Sequence, residues 1–368
     1  MTFVRPAGIL RLMPRPIRAT ISAAALAHNL AIARKHAGAA KVWAVVKANA
    51  YGHGLLRAAQ ALREADGFAL LDFVDALRLR NAGIDKPILM LEGFFKPDDI
   101  ALLQRHRLTP VIHNIEQIEM LEKAGLDGTL DVYLKVNSGM NRLGFAVDNV
   151  RLAWNALAAN KGVGSVTLMT HFADADGEEG ISGQLQWFGV LTRSFEAQRS
   201  LANSAALLRF ADEARADWVR PGIMLYGCSP FTFKSAEEIG LQPAMTLSSE
   251  IVGVQHLEQG ERVGYGFSYQ AGQEMTIGVV ACGYADGYPR HAPSGTPVLV
   301  AGQRTRTVGR VSMDMLCVDI SDIEQAYVGT PVTLWGEGLP CDEVAQSAGT
   351  ASYELLCALA PRVPIVEI

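Results

Sequence analysis

Short, unbroken apolar runs recur along the first two thirds of this chain, at residues 42–46, 68–71, 88–91, 109–112, 130–136 and 166–170. Hydrophobicity without alternation means a strand covered on both faces, as in a parallel sheet. Amphipathic stretches lie between the runs, for example at 75–82 and 115–124. An earlier one spans 23–37, with Leu26, Leu30 and Ala33 at helical spacing and Ser22 as its N-cap. Strand and helix in alternation predict a parallel sheet with helices outside it. A doubly wound open sheet would carry a Gly-rich phosphate turn after its first strand, and Lys47 stands there instead. The predicted architecture is therefore α/β, a TIM-type (β/α)8 barrel with its chemistry at the C-terminal ends of the strands.

After a connector at 230–240 the texture changes. Runs at 245–257, 278–282, 297–300, 307–311, 315–320 and 332–335 are short and separated by Gly, Pro and Asp, which predicts an all-β domain. The boundaries read as an N-terminal extension at 1–12, the barrel at 13–240 and a mainly β-strand domain at 241–368, with the first strand able to join the second domain. A barrel of about 250 residues plus a β appendage fits a length of 368.

A hydrophobic fraction of 49% against 19% charged residues supplies a large core and excludes global disorder. The net charge of −5, with no Lys/Arg cluster, argues against a nucleic-acid surface. Cys228, Cys282, Cys317, Cys341 and Cys357 are widely spaced with no C-x-x-C pair. They suit reduced, mostly buried thiols rather than a disulfide frame or a metal site. No run is long enough for a membrane span, and Arg11 interrupts the apolar Ile9-Leu10 before a signal sequence forms, so a cytoplasmic protein is expected.

The candidate chemistry centres on the run 42–54, where Lys47 ends an apolar strand and Gly52 and Gly54 flank His53. A lysine at the end of a buried strand is desolvated, which lowers its pKa. A readily deprotonated amine is what Schiff-base chemistry with an aldehyde needs. The two glycines permit a tight turn or a close approach to a ligand. A lysine that merely snorkels to solvent is the bland alternative. Taken whole, Val42-Trp43-Ala44-Val45-Val46-Lys47-Ala48-Asn49-Ala50-Tyr51-Gly52-His53-Gly54 resembles the pyridoxal 5′-phosphate lysine signature of the alanine racemase family. The resemblance implies that Lys47 carries that cofactor covalently. Residues 13–21 resemble the family's usual opening, which makes Met13 a candidate alternative start.

Further polar residues fall where barrel strands end. Lys135 closes a strand, and Arg142 follows a Gly-containing turn. Alone, Arg142 reads as a surface arginine. The resemblance of 133–145 to the family segment implies that it faces the cofactor phenolate and the substrate carboxylate, braced by Lys135, a lysine often carbamylated in relatives. His171 follows the run 166–170 and on chemistry alone is either a ring-stacking or a structural histidine; the resemblance puts it by the cofactor ring. Asp176 reads as an exposed loop carboxylate, with a supporting role by resemblance. Small polar residues at 203–206 and Arg220-Pro221-Gly222-Ile223 suit a phosphate cradle near a helix N-terminus. Cofactor-binding roles for Tyr51, Ser204, Gly222, Ile223 and Tyr353 are implied by the resemblance, as is a bond from Arg220 to the pyridine nitrogen. An arginine keeps its proton there, which leaves the ring a poorer electron sink and disfavours transamination.

In the β domain, Tyr265 stands between Gly264 and Gly266. An aromatic packed under a turn is its plain reading. A racemase needs acid/base groups on opposite sides of a planar intermediate, and tyrosine, with an unperturbed pKa of about 10, needs nearby cations to ionise. The resemblance assigns Tyr265 as the base for L-alanine and Lys47 as the base for D-alanine, with the tyrosine reaching the other subunit of a homodimer. By the same likeness, residues 309–314 come from the partner chain, with the Met313 backbone near the substrate carboxylate and Arg310 and Asp314 supporting, and residues 283–290, with Tyr284 and Arg290, form the access corridor. Ala351 departs from the bulkier aliphatic residue usual there, which implies a wider entrance. The expected activity is racemisation of alanine, for peptidoglycan or alanine catabolism. A broad-specificity racemase, a related decarboxylase for basic amino acids and a non-enzymatic cofactor carrier are the alternatives. The lack of a signal sequence and of a cysteine pair speaks against the first, the Gly-Tyr-Gly and Ser-Met-Asp stretches against the second, and the intact β domain with Tyr265 against the third.

Overall fold

The computed structural model describes residues 15–368, so the extension at 1–12 and the Met13-Pro14 opening lie outside the described residues. Strand β1 (Arg18–Ile21) leads into a helix at Ala23–Ala37, whose N-cap Ser22 accepts from the Ala25 N–H at 3.1 Å. Eight parallel strands then close a barrel: β2 (Lys41–Val45), β3 (Gly67–Leu70), β4 (Ile88–Met90), β5 (Leu108–Ile112), β6 (Leu130–Lys135), β7 (Val163–Met169), β8 (Arg199–Ser200) and β9 (Trp218–Val219). The last two have only two residues each, too few for an apolar pattern to reveal them. Helices at Phe73–Asn81 and Ile115–Lys123 are capped by Asp72 and Asn114, whose side chains accept from Val74 and Gln117 N–H groups.

Trp43 of β2 fills the barrel interior. It stacks on Trp218 at 4.3 Å between ring centres and donates through Nε1 to Tyr133 Oη, at 3.0 Å, on the opposite strand β6. A Cβ on Gly67 would overlap the Trp43 ring, so the glycine makes room for it.

The second domain is built from β10 (Met245–Leu257), β11 (Arg262–Val263), β12 (Tyr269–Gln270), β13 (Met275–Val280), β14 (Pro297–Val300), β15 (Gln303–Val308), β16 (Leu316–Asp319), β17 (Pro331–Trp335) and β18 (Ile365–Glu367). Its main sheet runs β13-β16-β15-β14-β17-β10-β1-β18, and β10 also pairs with β13, so the first six return to their start. The chain's first strand therefore belongs to this sheet, antiparallel to β10 and parallel to β18. Buried Asn29 adds a second tie between the domains: its Nδ2 donates to Leu225 O at 3.1 Å and Gln242 O at 2.8 Å, and its Oδ1 accepts from Gln242 N–H at 2.8 Å. Among the described residues, no helix is long and apolar enough to cross a membrane, and no group of three or more His, Cys, Asp or Glu side chains could hold a metal ion. All five cysteines are free.

A third tie lies at Gly52, where φ is +80° and a Cβ would overlap the carbonyl oxygen of Leu356 in the helix Ser352–Cys357. Gly52→Ala is expected to cost about 2 kcal/mol through strain and displaced packing, read as a lower urea midpoint. An unchanged midpoint would mean that the two domains are not locked at this position.

Candidate active site

A cavity of about 830 Å³ opens where the barrel strands end. Lys47 enters it directly after β2, and the backbone then does something unusual. Ala48, Asn49, Ala50 and Tyr51 all have φ between 51° and 55°, a left-handed turn without a single glycine. Such residues each cost about 1–2 kcal/mol against a right-handed conformation, so the turn persists only because its surroundings fix it. Gly52 N–H donates to Ala48 O at 3.1 Å, and Gly54 N–H to Asn49 O at 2.9 Å. The Asn49 side chain accepts from Leu55 N–H at 3.0 Å, and the His53 ring bonds the Ala50 and Tyr51 carbonyls. Tyr51 stacks on Tyr226 at 4.6 Å, and Tyr226 Oη donates back to Val45 O at 2.8 Å. The glycines at 52 and 54 follow the turn rather than make it.

Tyr51 is thereby aimed at the far end of the cavity. Its phenol oxygen would stand 2.7 Å from a Cβ on Gly222, so only glycine leaves that space open. Ser204 Oγ accepts from Gly222 N–H at 2.8 Å. Ile223 begins a 3-10 turn, Ile223–Tyr226, directly after the Pro221-Gly222 pair. Pro221 precedes a chain reversal too tight for α-helical bonding: Leu225 N–H donates to Gly222 O. Tyr353 lines the same end. Hydroxyls, backbone N–H groups and space left by a missing Cβ suit a phosphate ester.

Charge points the same way. Lys47, Lys135, Arg142 and Arg220 line the cavity against Glu92 and Asp176, four cations to two anions. Arg220 is fully buried, donating to Ser200 Oγ at 2.7 Å, Thr170 O at 2.6 Å and Leu201 O at 3.2 Å. Burial pushes its pKa down to about 10, which still leaves it protonated at neutral pH. Burial, then Arg220 and Arg142, bring Lys135 down to about 8. Lys47 is lowered by burial and by Arg142. His171 is pushed well below its ordinary value by burial and by the surrounding cations, so its ring is neutral. Such a site is short of negative charge.

All the barrel residues singled out from the sequence meet here: Lys47, Tyr51, Lys135, Arg142, His171, Asp176, Ser204, Arg220, Gly222 and Ile223, joined by Tyr353 from the second domain. Glu92, His113 and Cys357 also line the cavity and were not anticipated. Glu92 and His113 each follow a short apolar strand, the same signal that marked Lys47. Tyr265, Tyr284, Arg290, Arg310, Met313 and Asp314 do not line it. Tyr265 sits at the tip of the β11–β12 hairpin, 68% exposed, with Arg310 against the turn: a Cβ on Gly266 would lie 3.5 Å from its Nη1. Met313 is 53% exposed.

Two family models match the chain: "Alanine racemase, N-terminal domain" over residues 21–230 and "Alanine racemase, C-terminal domain" over 244–367. An alanine racemase of Nitrosospira multiformis is 59% identical over 354 residues, 95% of this chain and 99% of the relative. One of Ralstonia nicotianae is 56% identical, covering 96% and 95%. Among solved structures, a biosynthetic alanine racemase from Pseudomonas aeruginosa is 47% identical with a TM-score of 0.94, covering 96% of this chain and 99% of that one.

The crowding of cations gives a direct check. In the protein without added ligand, the carbon-NMR resonance of Lys135 Cε, assigned with Lys135→Gln, is expected to titrate near pH 8. The neutral amine then predominates above that pH and the ammonium below it. A midpoint at the ordinary lysine value of about 10.4 would show that the amine is neither desolvated nor crowded.

Proposed function

This chain belongs to the alanine racemase family and interconverts L- and D-alanine, and we propose that it does so on pyridoxal 5′-phosphate, in a homodimer whose copies share each active site. One observation carries the reading. Lys47 stands inside the barrel cavity, whereas Tyr265 stands at an exposed hairpin tip outside it. Inversion at a carbon requires a proton to leave one side and another to arrive on the opposite side, which favours two carriers. A single chain brings only one of them to its own cavity. A second copy brings the other.

Pyridoxal phosphate, when bound, supplies the electron sink that makes an amino-acid α-proton removable. The phosphate end of the cavity, with Ser204, Gly222, Ile223, Tyr51 and Tyr353, would hold its phosphate, and Lys47 its aldehyde carbon. Lys47 Nζ, with its pKa lowered by burial and Arg142, is the group that takes or returns a proton on the barrel side. Arg142 offers a planar fork to the substrate carboxylate. Arg220, held by three oxygen acceptors, keeps its own proton and would hold the cofactor's ring nitrogen without protonating it. Neutral His171 presents a flat face without adding charge. The second copy's Tyr265 carries the proton on the other side, and its Met313 backbone lies toward the carboxylate. Tyr284 and Arg290 frame the way in, Arg310 and Asp314 support the segment that carries Met313, and Lys135 and Asp176 support the barrel side. Tyr265, Phe267, Met313 and Met315 are all exposed, the kind of apolar surface that a partner covers.

Tyr265→Phe is expected to slow conversion of L-alanine by about 100-fold or more, while α-proton exchange of D-alanine through Lys47 persists. Lys47→Ala should abolish both. Chiral chromatography and proton NMR separate the two readouts. Equal loss of conversion and exchange in Tyr265→Phe would refute the two-carrier reading.

A further inference from the structure

Asp286 lies outside the cavity, and its side chain has no exposed surface. Its Oδ1 accepts from Arg15 Nη1 at 2.8 Å and from Arg362 Nε at 2.7 Å. Its Oδ2 accepts from Arg15 Nη2 at 3.2 Å and from the Gly283 N–H at 3.0 Å. Arg362 reaches on through Nη2 to Asp314 Oδ1 at 2.6 Å, and Arg15 through Nη2 to the Asp314 carbonyl at 2.7 Å. Two arginines and two aspartates thus form a charge-balanced network joining four stretches of chain far apart in sequence.

Two of those stretches are loops with exposed tips. Tyr284 and Ala285 N–H groups donate to the Ser312 and Met313 carbonyls, both at 3.0 Å. The loops approach so closely that a Cβ on Gly283 would overlap both of those carbonyl oxygens. Ala360 N–H donates to the Asp286 carbonyl at 3.1 Å, fastening the pair to the chain's C-terminal segment. Burying a carboxylate is tolerated only when its lone pairs are filled, and such networks fix geometry more than they add stability. Tyr284 and Met313, by contrast, remain exposed, and among the described residues no side-chain hydrogen bond fixes them. What holds them is the backbone beneath, and that backbone is held by Asp286.

We propose that the Arg15–Asp286–Arg362–Asp314 network is a clamp that presets the loops bearing Tyr284 and Met313 for the second copy's active site, which makes Asp286 and Arg362 positioning residues for the reaction. This inference rests on the shared-site reading above. Arg362 is the better probe, because Arg15 still pairs Asp286 when it is truncated and the fold survives.

Hybrid dimers separate the clamp from the reading beneath it. A Lys47→Ala chain mixed with a Tyr265→Phe chain gives one intact site, made of the second chain's barrel and the first chain's β domain, and this hybrid is the reference. Arg362→Ala added to the Lys47→Ala chain is expected to lower kcat/KM for alanine by about 10-fold or more, since displacement of a positioning group by about 1 Å has effects of that order. Added instead to the Tyr265→Phe chain, it should leave the reference rate intact. Arg362→Lys, which keeps the charge but not the planar fork, recovers part of the loss. Equal loss in both arrangements, or loss in neither, would overturn the clamp. A reference hybrid without activity would overturn the shared-site reading, and the clamp's role in the reaction with it.

Discussion

The structure turns on a left-handed stretch of four non-glycine residues immediately after Lys47. Strand β2 delivers the amine to the cavity mouth, and the chain must then reverse without moving it. The left-handed turn does this, at a cost in backbone energy that local propensity alone would not support. His53 and Asn49 tie the turn to itself, Tyr226 stacks beneath it, and the C-terminal helix closes over Gly52. Each of these partners is a structural commitment. Tyr226 bonds back to β2, His53 is fully buried, and the helix that covers Gly52 also carries Tyr353 and Cys357 to the cavity. One strained turn therefore sets the position of the amine, the aim of Tyr51 and the docking of the two domains.

Electrostatics add the second constraint. Burial first, and then the gathering of Lys47, Lys135, Arg142 and Arg220 around one cavity, depresses the affinity of the lysines for protons and leaves His171 neutral. An anionic ligand relieves that crowding, so the arrangement favours a phosphate and a carboxylate together. Arg220 escapes this logic, because it is held by protein oxygens and remains charged.

The barrel and the β domain were legible because buried parallel strands leave unbroken apolar runs and β-meanders leave short, punctuated ones. The ends of helices were legible where Ser22 stands, since a capping side chain is a local device. Tertiary context hid the rest. Strands β8 and β9 are too short to leave a pattern, and nothing in Ala-Asn-Ala-Tyr announces positive φ angles. Glu92 and His113 carry the same strand-end signal as Lys47, but no flanking motif distinguishes them from ordinary loop residues. Asp286 offered no local sign at all, since its partners Arg15 and Arg362 lie at opposite ends of the chain.

The most direct test of the account is to incubate the protein, loaded with pyridoxal phosphate, with L-alanine in D2O, following configuration and α-deuterium together. Two carriers on opposite sides predict D-alanine that contains deuterium from its first appearance. Exchange into L-alanine without inversion, or D-alanine that retains its original proton, would contradict it.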